Sequence, residues 1–470
     1  MMSFLPLKRI ASLATVAALA VSAAACSDFL TVKNPGSVDA DKLTDAANAN
    51  LLVAGTIGEF QSAVTSAAVW GGVLSDELLN GHNNASYGPV DRRDFTNLND
   101  LVGGIYSPPS RLRFHGDSTA DRLKGWLGAE AAARDIRVAR MLAMAGYGYL
   151  YLGELFCAAP IQLSAPKQPN ELFALAQPRF DEAMAIAEAA RAAGTPAAVV
   201  DSVLNLARVG AARAAMNLGD APKARGYAVL VPANFEYRAY YSEGIPPVAG
   251  NPTNLFWSYV GSPNVATPAE VTAGVNIDGG YRYSSISAFA SVGQRFQNLN
   301  DPRVPHTTQR MAVLNSTSGV PSQYLPNKPK SFGGYVAPDG ARPGGQPMTP
   351  GASIRVASGL EAQYIVAEAD GGVGSTLTFV NEQRAANGQT PSTAVSPDEI
   401  LADLRTQRSR EFYIDGHRLG DVRRYKAHNS VDLWEKGAYR GSSSETYGTV
   451  ECFPIPLSEI NSNPNAQPGA

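Results

Sequence analysis

The residues of this chain that could carry chemistry are scattered. Five histidines, His82, His115, His306, His417 and His428, stand far apart, and none pairs in the His-Glu-x-x-His spacing of a zinc hydrolase. Cysteines occur only at 26, 157 and 452, too few and too separated for a structural zinc site. Gly146-x-Gly148 lies inside a helical pattern with no strand before it, so it reads as close helix packing and not as a phosphate loop. Asp39 and Asp41 lack the glycine and distal glutamate of a calcium loop. Glu411 and Asp421 come nearest to a pair of catalytic acids. Arg408, Arg410, Arg418, Arg423 and Arg424 surround them, and so many cations hold carboxylates ionised, which suits no general acid. Arg410, Glu411, Asp415, Arg418, Asp421 and Arg424 are instead spaced to pair along a helix face or across the Gly416 turn. The expectation is a chain with no catalytic residue, no metal and no cofactor.

The elements around these residues begin with an export signal. Lys8 and Arg9 precede an apolar run from Ile10 to Ala24, ending in Ala23-Ala24-Ala25-Cys26. That order of basic, apolar and small residues marks a secretory signal over 1–25. The run is Ala-rich and short of the ~20 strongly apolar residues of a membrane span. Small residues directly before Cys26 resemble the lipobox of bacterial lipoproteins, in which the cysteine thiol is acylated and becomes the N-terminus. Each buried lipid methylene contributes ~0.8 kcal/mol, so two or more chains hold a soluble domain at a bilayer. Export leaves Cys157 and Cys452 in an oxidising compartment, where an even pair suggests a disulfide; two separate buried thiols are the alternative. The net charge of −3 and the lack of a Lys/Arg cluster exclude a nucleic-acid partner.

Hydrophobic content of 44% with 17% charge, 44 Gly and 32 Pro describes a globular chain with long ordered loops. Segment 26–40 reads as a tether. Helical periodicity is expected over about 41–77, then mostly loop between His82 and Gly116, where Asn, Gly and Pro are frequent. The clearest helical segment is 118–156, with Ile136, Ala139, Ala143, Tyr147, Leu150 and Glu154 on one stripe. Pro178 is placed to open the next helix, followed by helices over 197–218 and 222–229. Pairs of small-residue helices joined by short turns resemble tetratricopeptide hairpins. From 232 to 351 the periodicity vanishes, which predicts an ordered insert of turns and short strands. Helices return at 353–370 and 375–387. A last one, opened by the capping box Ser396-Pro397-Asp398-Glu399, is expected to reach Ile414.

Several separated motifs resemble one family. They are Cys26-Ser27-Asp28-Phe29-Leu30 with Asn34-Pro35, Asp301-Pro302-Arg303, the helix Leu360–Ala369, and Phe379–Arg384. The run from Arg408 through Gly416 to Arg424 and the ending Pro454-Ile455-Pro456, Glu459-Ile460, Asn463-Pro464-Asn465 complete the set. In order and spacing the chain resembles the SusD/RagB proteins, surface lipoproteins that capture nutrients for outer-membrane importers. Asp415 stands where the family usually has Glu, and Leu419 where it has an aromatic.

The resemblance implies a mainly α, SusD-like fold. Its parts would be a helical region over 41–231 with tetratricopeptide-like hairpins, a ligand-face insert over 232–351, and a C-terminal SusD/RagB-like region over 352–470. It also implies an outer-membrane location, lipid on Cys26, a TonB-dependent (SusC-like) transporter as partner, and a glycan or other nutrient oligomer as ligand. Such proteins hold glycans by stacking rings beside amides, since an aromatic ring is a rigid platform with little entropy to lose. In loop-like segments the candidates are Tyr87, Tyr106, Trp257, Tyr259, Tyr281, Tyr283 and Trp434, with Asn83 and Asn254 beside them. The competing readings are a scaffolding lipoprotein that uses its hairpins for assembly, and a surface glycan-degrading enzyme.

Overall fold

The computed structural model describes residues 45–75, 77–80, 86–242, 254–255, 283–284, 301, 303, 351–439 and 445–466. Two compact units divide the chain, Met1–Asn48 and Ala49–Ala470. Within the first, Ala46–Asn48 form one 3-10 turn, opened by the Asp45 carboxylate accepting from Ala47 N–H at 2.8 Å. The signal, Cys26 and the tether lie outside the described residues.

The second unit is mainly α-helical. Helix α1 (Ala49–Leu74) is followed by β1 (Leu79–Asn80), the short α2 (Tyr87–Asp91), α3 (Leu101–Leu127), the single turn α4 (Ala129–Ala132) and α5 (Ile136–Leu155). After β2 (Ala159–Pro160) and β3 (Pro166–Lys167) come α6 (Pro169–Ala192), α7 (Ala197–Asn217) and α8 (Ala221–Ala228). Strand β4 (Glu236–Ala239) leads into the insert, where β5 (Tyr283–Ser284) is described, and β6 (Ile354–Ser358) leads out. The chain closes with α9 (Gly359–Ala369), α10 (Thr376–Ala386), α11 (Pro397–Glu411), α12 (Arg418–Asn429) and α13 (Leu457–Ser462).

Successive long helices pack as neighbours, α3 on α5, α5 on α6 and α6 on α7, with α1 across α3 and α5. This hairpin stack is the tetratricopeptide-like pattern expected of the small-residue helices. Helix α5 is its centre and is buried from Met141 through Leu155. Glycine makes the tight approach possible there: a Cβ at Gly146 would overlap the Phe180 ring, and one at Gly148 the Arg113 backbone. Tyr147 meets Phe60 and Phe180 edge-on, at 5.8 and 5.5 Å between ring centres. No helix among the described residues is long and apolar enough to cross a membrane.

Several local expectations are corrected. The stretch from His82 to Gly116 is not mostly loop, because α2 and most of α3 lie in it, and α3 runs through Pro108 and Pro109. Those prolines lie past the first turn and remove interior hydrogen bonds, but Val102, Ile105, Pro109, Leu112 and Gly116 bury one face and hold the helix together. The 118–156 segment is broken at Gly128, whose φ of 76° ends α3, and Asp135 caps α5 by accepting from Arg137 N–H at 2.8 Å. Pro169, not Pro178, opens α6, because Glu171 reaches back to the Gln168 N–H at 2.8 Å. Residues 354–358 form a strand before α9 begins. Helix α11 has the expected box, with Glu399 accepting from Ser396 N–H at 3.0 Å, but it ends at Glu411, short of Ile414.

Among the described residues, strands occur as two-stranded antiparallel pairs, β1 with β5, β2 with β3, and β4 with β6. The β4–β6 pair brackets the insert, so the chain leaves and rejoins the helical body through one small sheet. A disulfide joins Cys157, just after α5, to Cys452 in the tail. Beside it Phe156 and Phe453 form a parallel bridge, and their rings stand 5.8 Å apart.

Replacing both cysteines by serine is expected to destabilise the folded chain by about 4 kcal/mol, as loop closure is lost from the unfolded state. Urea unfolding with and without reductant measures this; the variant should match the reduced wild type.

Candidate functional site

The C-terminal charges that the sequence singles out form a buried lattice. Arg355 on β6 donates to Asp415 at 2.9 Å and Glu411 at 3.1 Å, and also to the Glu411 carbonyl at 2.8 Å. Arg408 on α11 reaches Asp421 on α12 at 2.7 Å, and Arg424 grips the other Asp421 oxygen at 2.7 Å. Arg424 also pairs with Glu368 of α9. Arg213 of α7 clasps Glu154 of α5 through two 2.7 Å bonds and donates to the Gly416 carbonyl at 3.0 Å. Arg423 spends its donors on the last carbonyls of α5, those of Gly153, Glu154 and Phe156. The Asp301–Arg303 turn belongs to the same system, with Arg303 on Asp301 at 2.7 Å and Arg410 on it at 3.2 Å. Of these, Asp421–Arg424 pairs along one helix face and Asp301–Arg303 within one turn; the other bonds join separate elements.

The electrostatics follow from burial. Burial pushes the Asp421 carboxyl up, but Arg408 and Arg424 more than reverse this and hold it well below the usual carboxylate range. Glu154 and Glu361 go the other way: burial raises both above the ordinary value despite the arginines beside them. His417 lies 3.1 Å from Glu361, yet burial and then the surrounding arginines hold it far below its ordinary value, so the contact is not an ion pair. Gly416, at φ 81°, makes the turn between α11 and α12, and a Cβ there would press on the α1 backbone at Ala68. The lattice is a clamp; among the described residues no His/Cys/Asp/Glu group could hold a metal.

The candidate ligand aromatics divide. Trp257, Tyr259, Tyr281 and Asn83 lie outside the described residues, and of Tyr283 only the backbone, paired with Asn80 in β1–β5, is described. Tyr87, Tyr106 and Trp434 are buried, which corrects the expectation of exposed rings at these three. Tyr87 packs on Trp70 at 6.0 Å, and Tyr106 meets Phe156 edge-on at 5.1 Å. Trp434 takes the Arg93 guanidinium over its face at 4.9 Å. Asn254 is buried too, but it anchors the insert: its amide donates to the Ala352 carbonyl at 2.7 Å, and its oxygen accepts from Thr65 at 3.2 Å.

These anchors surround the candidate site. Thr65 also accepts from Leu255 N–H at 2.8 Å, so the insert is pinned to α1 at this point. There a cavity of about 390 Å³ opens between α1 and α3, within the ~300–1,000 Å³ usual for ligand pockets. Ser62, Ser66 and Trp70 line it from α1, Asp100 and Arg111 from the α3 side, and Leu255 from the insert. Ser66 Oγ is buried there with no hydrogen-bond partner among the described residues. Sequence reasoning missed this set, because serines and a tryptophan inside a helical pattern carry no sign of a cavity.

Residues 364–467 match the model of the SusD family. The fold matches that of a SusD superfamily protein from Bacteroides vulgatus ATCC 8482, at 15% identity and TM-score 0.59, over 90% of this chain and 98% of that one. The chain has the SusD-like fold, and its C-terminal segment carries the SusD family pattern. A laminarin binding SusD-like protein aligns at 15% identity and TM-score 0.58, over 91% of this chain and 100% of that one. The surface glycan-binding protein A from Bacteroides uniformis aligns at 14% and 0.57, over 90% and 99%. No curated protein sequence matches. The SusD-matched segment contains most of the lattice, from Glu368 through Arg408 to Arg424, so the part most readable as family is the part that holds the elements together.

Arg408→Ala leaves Asp421 buried with half its partners and is expected to cost about 3–5 kcal/mol, measured by urea unfolding. Asp421 and Asp301 both have lowered values in the fold, so their stabilisation is present above the unfolded Asp value of ~3.9 and is lost as pH falls below it. Glu154 and Glu361, raised by burial, act oppositely and favour the fold as pH falls toward ~4.3. Tm should therefore hold or rise slightly on acidification from neutral pH and drop only below ~3.9. Asp421→Asn should flatten that drop.

Proposed function

We propose that this protein is a lipid-anchored outer-membrane protein that binds a glycan or related nutrient oligomer and passes it to a TonB-dependent transporter. The observation that carries the reading is the cavity at the root of the insert. Asn254 and Leu255 fix one part of the insert to α1, and β5 pairs with β1 just beyond the end of α1. The insert thus has one foothold on α1 and one on the strand after it, and the first adjoins a cavity lined by hydroxyls, a carboxylate, a guanidinium and an indole. Such a mixture suits a polyhydroxylated ligand, with the indole as apolar floor and the polar groups at its edge.

The SusD fold supports the glycan part, since relatives with this fold are named as laminarin-binding and glycan-binding proteins. The sequence at Cys26 supports the anchor, and the family likeness supports the transporter. A non-catalytic role agrees with the lattice, whose carboxylates are occupied in holding helices.

Two measurements test the reading. Tagged protein drawn from its native outer membrane in mild detergent should bring a large TonB-dependent barrel in near-equal amount; a clean preparation lacking any barrel favours a scaffolding lipoprotein. Asp100 and Arg111 are exposed, so the double change to alanine should leave Tm unaltered. It should weaken oligosaccharide binding about tenfold, as charged hydrogen-bonding groups are lost. Unchanged binding in calorimetry would place the ligand elsewhere.

A further inference from the structure

A second cleft lies on another side of α3. Arg111 and Arg113 are two residues apart on that helix and so point in nearly opposite directions; the first lines the cavity described above, and the second lines this cleft. The cleft holds about 470 Å³ between α3, α5 and α6, with the Ile161–Ser164 segment along its rim. Most of its charges are matched internally. Arg179 pairs with Asp117 at 3.2 Å, the Tyr149 hydroxyl donates to the same carboxylate at 2.8 Å, and Lys124 pairs with Glu182 at 2.7 Å.

Asp121, which is exposed, has no ion pair among the described residues, and Arg113 is the buried exception. Its side chain is buried, with the residue 6% exposed, and its Nε has no hydrogen-bond partner among the described residues. No described carboxylate forms an ion pair with it; Glu459 of α13 feels its charge without pairing. Its neighbours are rings, with the guanidinium 5.9 Å from the Tyr149 centre and 6.0 Å from that of Phe114. Buried cations in folded proteins are paired or hydrogen-bonded, so an orphan facing a cleft points to an anion supplied from outside. Phe114 beside it is half exposed, at 50%, which offers a stacking face. On the rim Gln162 holds φ 56°, a left-handed conformation that a non-glycine residue adopts only where its surroundings impose it.

We propose that this cleft is a subsite for an acidic sugar unit, its carboxylate or sulfate ester on Arg113 and its ring on Phe114. The choice of a saccharide rests on the function proposed above; the choice of an anion rests on Arg113 alone. A guanidinium fork matches either a carboxylate or a sulfate in bidentate geometry, and stacking on a bare ring selects a sugar over a free inorganic ion.

The test titrates the full chain in detergent, by calorimetry, with a trigalacturonate, a chondroitin-sulfate tetrasaccharide, sodium sulfate, and a neutral glucose trisaccharide. One acidic oligomer should bind more tightly than the neutral one, and the better of the two identifies carboxylate or sulfate ester. Arg113→Gln should weaken that acidic oligomer about tenfold or more and leave the neutral oligomer unchanged. Because Arg113 is buried, Phe114→Ala serves as the variant that keeps the fold; it should weaken the acidic oligomer roughly threefold at unchanged Tm. Equal binding of acidic and neutral oligomers, or acidic binding indifferent to both changes, overturns the subsite and leaves the glycan reading standing. Sulfate binding as tightly as the oligomers overturns the sugar. Failure of every oligomer brings down both readings. If no acidic oligomer binds and Arg113→Gln abolishes co-purification of the transporter, the cleft is a protein contact and the proposal is wrong.

Discussion

Burying charge inside a folded chain is costly unless every ion is met, and the arrangement of this molecule depends on how its C-terminal arginines meet that condition. Arg355 and Arg424 each bond two carboxylates, Arg408 holds Asp421 with Glu361 4.0 Å away, and Arg213 and Arg423 carry the same system to the central helix α5. Apolar side chains of similar volume could give equal or better stability, since removing ions from water offsets much of their attraction. What an ionic junction adds is uniqueness: a guanidinium fork accepts its partners in one orientation. The N-terminal hairpins and the C-terminal helices are therefore fixed in one mutual arrangement.

That clamp was also the most legible part of the sequence. The run from Arg408 to Arg424 announced paired charges, the Gly416 turn and a structural role, because alternating charges in two short helices leave few other uses. Which charges pair was not readable, since Arg355, Glu368, Glu154 and Arg213 come from distant elements and bear no spacing relation to Asp415 or Asp421. Helix α5 and the Ser396 capping box were readable from periodicity and local chemistry. Helix α3 was not, because Pro108-Pro109 speaks locally for a break while the apolar stripe around it decides for a helix. Tyr87, Tyr106 and Trp434 failed as surface platforms for a related reason: polar, Gly-rich neighbours in sequence do not show which way a ring faces. The candidate cavity stayed hidden, since Ser62, Ser66, Asp100 and Arg111 are ordinary helix-surface residues until two helices are placed side by side.

The insert adds a second level of organisation. It leaves and returns through the β4–β6 pair, so the helical body closes on itself whatever the insert contains. Such an arrangement lets the helical body pack without depending on the residues between the two strands. Asn254, bonded at once to Thr65 and to the Ala352 carbonyl, is the stitch between the two.

The disulfide has a consequence for the order of events in the life of the chain. Its two cysteines are 295 residues apart, so the bond joins segments made at very different times. The bond therefore cannot close until the segment around Cys452 has been made and has docked beside the end of α5. A chain that stops short of Cys452 keeps Cys157 as a free thiol, open to exchange with other thiols. The crosslink so records that the segment around Cys452 has found its place against the central helix.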